Sequence, residues 1–264
     1  MAKQSGLHQI KGKVDGYAYY RQSGVKTGLM RRINEGLSSR VKNGAEFANT
    51  RLNNAEFGNG ADVAKIAAGL IVPKYRPMFL NFSQAKLTKS ILALIKQNTG
   101  NWGQRGLVAT DVAPLCDGIS ALAKYPFSNL IDTVTVAAGS GSGKCAVEVV
   151  VSDDGMETLS GLGADGFVVK AIAASIFAGQ YSSEVGGYIK SLADVSQTNT
   201  TDESVGSESA TINFEFTKST KSVTGAVKLD VIILIMMPFR TINEQNHILQ
   251  EYCTFKAIEP VYAA

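Results

Sequence analysis

The sequence predicts an α+β protein with an extended basic N-terminal arm, a short helical region and a C-terminal antiparallel β-sandwich or barrel. Three observations carry this. Lys and Arg crowd the first part of the chain while Asp and Glu crowd the rest. Apolar residues recur with helical spacing up to about residue 125. From about residue 130 onward the period drops to two, with β-branched residues enriched. With 264 residues, 45% of them hydrophobic, the chain can bury a real core as one large domain or two modest ones. Its 6 Pro and 8% aromatics fit neither a disordered tail nor a disulfide scaffold.

The formal net charge of +3 hides an asymmetry. Residues 1–105 hold 17 Lys/Arg against 5 Asp/Glu, and the remaining residues hold 9 against 18. Residues 1–44, taken as the arm, hold 9 basic and 2 acidic residues, interleaved with glycines and with Tyr17, Tyr19 and Tyr20. Val14–Tyr20 suits a strand or hairpin. The rest of the arm lacks the apolar area to offset its conformational entropy, so it is expected to order only against something else.

Residues 45–125 form the helical region. Ala45–Phe57 contains good helix formers and no breaker, with a broad polar face, and Gly58 and Gly60 follow. Val63, Ile66, Ala67 and Leu70 then make an i, i+3, i+4, i+7 stripe. Pro73 and Pro77 demand an extended link, and Ser83 caps a helix that buries Leu87, Ile91, Leu94 and Ile95 and stops at Gly100. A third helix begins near Asp111, tolerates Pro114 in its first turn, and buries Leu115, Ile119 and Leu122.

Residues 126–264 form the β region. Its strands are expected at Thr133–Ala138, Ala146–Val151, Phe167–Phe177, Thr211–Thr217, Val227–Met237 and Tyr252–Ile258. Ile212, Phe214 and Phe216 alternate with polar residues, the mark of a strand buried on one face. Residues 191–209, with Asp194, Asp202, Glu203, Glu208 and no Lys or Arg, read as a long polar acidic loop.

Several functional classes fall away. The start has no apolar stretch of signal-peptide length. The apolar run Val231–Met237 is far short of the ~20 residues of a membrane helix, so no membrane partner is expected. Cys116, Cys145 and Cys253 are odd in number and widely spaced, pointing to free, buried thiols in a reducing compartment. Ala138-Gly-Ser-Gly-Ser-Gly-Lys144-Cys145 approaches a phosphate-binding loop. However, it has Ala at the first position and Cys where Ser or Thr should hold magnesium, and a strand follows where a helix is required. It reads as a hairpin turn. Asp153-Asp154-Gly155 likewise reads as a turn. His8 and His247 are the only histidines, and the His247 to Cys253 spacing matches no catalytic or metal pattern. No catalytic residue, metal site or cofactor is expected, and the chain reads as non-enzymatic.

The basic residues Lys11, Lys13, Arg21, Lys26, Arg31, Arg32, Arg40 and Lys42 are the strongest signal. One reading places them on nucleic-acid phosphates, with tyrosines stacking on bases. A second clips the arm onto the acidic part of a neighbouring copy, and a third leaves it merely solvated. The second is favoured because the chain carries its own complementary charge.

Gly12-Lys-Val-Asp-Gly-Tyr-Ala-Tyr-Tyr-Arg-Gln-Ser-Gly24, Arg31-Arg32 and Ala48-Asn-Thr-Arg-Leu-Asn-Asn-Ala-Glu-Phe57 resemble the opening of uncharacterised structural proteins of Bacteroidetes phages and prophages. The Met236-Met-Pro-Phe-Arg240 turn and His247–Cys253 resemble their closing segments. The resemblance implies a virion subunit of capsid shell, connector or tail, assembled in the host cytoplasm as a homo-oligomer of many copies. Its expected partners are other virion proteins and, in the alternative nucleic-acid reading, packaged DNA. It carries no active-site residues over.

Overall fold

The structure, a computed structural model, describes residues 2–3, 12–20, 28–33, 36–70, 84–206 and 208–264. The fold is α+β and divides into two units, residues 1–53 and 54–264. The boundary lies nine residues beyond the expected end of the arm.

In the first unit the described residues form a small antiparallel sheet followed by a helix. The strands are β1 (Ala2–Lys3), β2 (Gly12–Val14), β3 (Tyr17–Tyr20) and β4 (Leu29–Arg32), in the order β1-β4-β3-β2. The expected hairpin is present. Asp15 and Gly16 both take positive φ, 47° and 75°, the geometry a two-residue turn needs to match strand twist. Among the described residues of the expected arm the chain forms this sheet and a helix, and an extended arm is not seen there. Helix α1 (Leu37–Asn43) follows. The Arg51 guanidinium closes its end, donating to the carbonyls of Val41 (3.0 Å) and Gly44 (2.7 Å).

Helix α2 (Ala48–Leu70) crosses the unit boundary and runs unbroken through Gly58 and Gly60. Within the second unit, a Cβ on Gly60 would stand 2.8 Å from the Leu92 side chain, so this glycine admits close approach of α3 (Gln84–Gln97). Tertiary packing here outweighs the roughly 1 kcal/mol helix penalty of glycine. Helix α4 (Val112–Ser120) completes the layer. The expected link at Pro73 and Pro77 and the cap at Ser83 lie outside the described residues.

The β region holds two sheets. The smaller contains β5 (Thr133–Ala138), β6 (Lys144–Val151) and β11 (Ala210–Thr217), in the order β11-β6-β5. The larger contains β7 (Gly166–Gly179), β10 (Leu192–Ser204), β12 (Ala226–Ile242), β13 (Gln245–Ile248) and β14 (Thr254–Ile258). Its order is β10-β7-β12-β13, with β14 also on β12. Helix α5 (Asp153–Gly161) follows β6, and the two-residue strands β8 (Tyr181–Ser182) and β9 (Gly187–Tyr188) follow β7.

Both faces of the large sheet are covered, which explains why β7 and β12 lack polar alternation. Ile172, Ala174, Ile176, Val231, Ile233 and Ile235 meet Val63, Ala67, Ile91, Ile95, Leu115 and Ile119 of the helices. Phe167, Val169, Ala171, Ile232, Leu234 and Met236 point the other way, onto Val147, Val149, Ile212, Phe214 and Phe216 of the small sheet. The sandwich thus has a helical layer on its outer side.

Three local readings are corrected. Residues 192–204 of the expected acidic loop form β10, paired with β7 from Leu192↔Phe177 to Ser204↔Gly166. Its polarity serves an edge: Gln197 accepts from the Thr217 N–H (2.6 Å), and Asn199 donates to the Glu215 carbonyl (3.4 Å), bridging the two sheets. Asp153 and Asp154 open α5, where Ser152 accepts from the Gly155 N–H (3.3 Å) and the two carboxylates complement the helix dipole. Met236–Arg240 continues β12 without turning. Pro238 falls where β12 exchanges β14 for β13 as its neighbour, so its missing N–H removes no ladder bond.

Candidate functional site

In the first unit, β2, β3, β4 and α1 surround a cleft of about 530 Å³ lined by Lys13, Ala18, Arg31, Arg32, Ile33, Leu37, Ser38, Val41 and Lys42. Register places Lys13 opposite Ala18 and Ala18 opposite Arg31, so these three share one face of the sheet. Two strand spacings put Lys13 and Arg31 roughly 9–10 Å apart. The small side chain of Ala18 leaves the space between them open. Ile33, Leu37 and Val41 supply apolar surface, and Lys13, Arg31, Arg32 and Lys42 are exposed cations around it. Arg31 also lies over the Tyr20 ring, 5.9 Å from its centroid.

Of the residues singled out by charge, Lys13, Arg31, Arg32 and Lys42 converge on this cleft. Arg40 does not: it is 3.2 Å from Glu46 and lies over the Phe47 ring. Lys11, Arg21 and Lys26 lie outside the described residues. Among the described residues, no carboxylate reaches the four cleft cations within ion-pair distance. The apolar lining was not legible from charge, because Ala18, Ile33, Leu37 and Val41 come from three separate elements.

In the second unit an acidic groove of about 530 Å³ is lined by Asp153, Asp154, Met156, Glu157, Ser160, Val205 and Gly206. Its carboxylates bond no cation among the described residues. Elsewhere in this unit some carboxylates are paired: Lys221 meets Asp194 (2.8 Å), Lys144 meets Glu215 (2.5 Å) and Lys228 meets Asp230 (3.3 Å).

The glycine-rich stretch 139–143 closes the β5–β6 hairpin as expected, with Gly143 at φ 71°. Its lysine is engaged. Lys144 and then Ser140 (3.0 Å) donate to Glu215, holding that carboxyl below its usual range. His247 is exposed on β13, while the Cys253 thiol is buried and turned to the Leu249 carbonyl (3.6 Å). Among the described residues, no cluster of three His, Cys, Asp or Glu is placed to hold a metal. No helix of the described residues is long and apolar enough to cross a membrane.

The three thiols are free and buried. Burial, then the charges of Glu259 and Asp117, pushes Cys116 up to about 12, and burial alone pushes Cys253 up to about 12. Ionisation in the unfolded chain near 9.0 therefore favours unfolding between pH 9 and about 12, by about 1.4 kcal/mol per pH unit for each thiol. Below pH 9 the contribution is fully present. Urea titrations across that window are expected to show falling stability, with a shallower fall for Cys253→Ala. An equal slope in that variant would assign the alkaline loss to other groups.

No protein-family model matches the chain, and no curated protein matches it. Among solved structures it is similar to the crystal structure of Spo0M, a sporulation control protein from Bacillus subtilis. The identity is 11% and the TM-score 0.29, over 50% of this chain and 48% of that one. The match spans under half of that protein's length, and a score this low transfers neither fold nor role.

Proposed function

We propose that the chain is a non-enzymatic, self-assembling structural subunit of a bacteriophage virion, in the capsid shell or in the connector and tail. Its N-terminal unit makes the contacts between copies. The phage setting rests on the resemblance of the Gly12–Gly24 and Ala48–Phe57 segments. The observation that supports assembly is the cleft, whose four cations lack carboxylate partners among the described residues while its lining is apolar. A phosphate backbone is satisfied by cations alone. An apolar surface between cations suits an acidic protein face, which buries carbon as well as charge.

Repeated around a ring or shell, individually weak contacts of this kind become collectively strong. Negative-stain electron microscopy of the purified full chain is expected to show rings, tubes or shells. Deleting residues 1–44 is expected to leave dispersed particles. A full chain that stays monomeric at high concentration sinks the proposal. A gel shift with DNA whose salt dependence flattens when Arg31 and Arg32 are neutralised would favour the nucleic-acid reading instead.

A further inference from the structure

We infer that the occupant of the basic cleft is the acidic outer face of α5 from a second copy of this chain, a head-to-tail contact. The inference rests on the self-assembly reading and names its surfaces. Charge complementarity selects the face. Asp194, Glu215 and Asp230 are occupied by lysines, Glu56 by Arg105, and Asp111 accepts from Asn98 (2.7 Å) and the Val108 N–H (2.8 Å). Glu148, Glu184 and Asp202 are also exposed without a cation among the described residues, but Asp153, Asp154 and Glu157 share one helix and line one groove.

The dimensions agree. Asp153 and Glu157, one helical turn apart, are separated by about 6 Å along the axis. Lys13 and Arg31 rise from positions roughly 9–10 Å apart, and their long side chains can close on both carboxylates. Ala18 leaves the depth between them open for a helix face, and Val205 offers apolar surface toward Leu37 and Val41. Because cleft and groove are different surfaces, two copies joined this way keep one cleft and one groove free between them. Such a contact propagates into a ring if the rotation closes and a filament if it does not.

Two full-chain variants separate the surfaces: Lys13→Gln with Arg31→Gln neutralises only the cleft, and Asp153→Asn with Asp154→Asn and Glu157→Gln neutralises only the groove. Sedimentation velocity is expected to find each alone monomeric, with far-UV circular dichroism unchanged. Mixed equimolar, they retain one intact cleft and one intact groove, and are expected to give a 1:1 complex of twice the chain mass. Adding Ala18→Trp to the groove variant fills its cleft without altering charge and is expected to abolish that complex.

A mixture that remains monomeric overturns the inference. So does a groove variant that assembles like the parent chain, or a complex that survives Ala18→Trp. None of these touches the assembly reading, which fails if the parent chain itself does not assemble or if its assembly persists after deletion of residues 1–44.

Discussion

Glu56→Gln is expected to destabilise the second unit by about 3–5 kcal/mol, the cost of leaving one partner of a buried ion pair uncompensated. The Glu56 side chain is 4% exposed and that of Arg105 16%. The Arg105 guanidinium holds both carboxylate oxygens, at 2.9 Å and 3.3 Å, and the Gly103 N–H donates to one of them at 2.9 Å. Arg105 also donates to the Lys96 carbonyl (3.1 Å), and the Tyr188 hydroxyl donates to the Arg105 carbonyl (2.7 Å). One carboxylate therefore ties α2 to the end of α3, the 103–105 loop and β9. Neutralising it leaves a cation out of water with nothing to offset its lost hydration. Urea unfolding should show the loss, and replacing Glu56 and Arg105 together with apolar residues should cost less than Glu56→Gln alone. A single-variant loss below about 1 kcal/mol would mean that water reaches the pair and screens it.

Phe216→Ala is expected to cost a further large amount, about 3–5 kcal/mol, by opening a cavity between the two sheets. Phe216 is fully buried, its ring 6.3 Å from that of Phe214, among residues of β6, β7 and β12. Strands on both sides limit how far the site can collapse around the missing ring. For a unit of this size the loss corresponds to a fall in Tm of about 10 °C. Thr217→Ala, one residue along on the exposed face, should move it little. Equal effects at the two positions would contradict the packing of the small sheet on the large one.

The β11 result shows what was readable in advance. Ile212, Phe214 and Phe216 alternate with Thr211, Asn213 and Glu215, and a period of two can place its apolar members on only one face. The stripe Val63, Ala67, Leu70 was equally plain, because helical spacing leaves one buried side. The failures share a cause. Residues 192–204 are polar because they bridge sheet edges, a demand set by Thr217 and Glu215 elsewhere in the chain. Pro238 stays in a strand because two different neighbours meet there.

For the candidate site the division is similar. Arg31, Arg32, Lys13 and Lys42 were visible as charge, and their cleft was not, since it depends on the pairing of Lys13, Ala18 and Arg31 across three strands. Asp153 and Asp154 were visible as carboxylates but read as a turn, because the Ser152 cap matters only once a helix follows.

The sequence alone determined the α+β class, the burial periodicity of β11 and of the Val63–Leu70 stripe, and the opposed charge of the two ends. These depend on residues close together along the chain. Tertiary structure alone decided that the large sheet is covered on both faces, that the acidic stretch is an edge strand, and which cations share a cleft. Each of those depends on hydrogen bonds and packing between residues distant in sequence, which local periodicity does not encode.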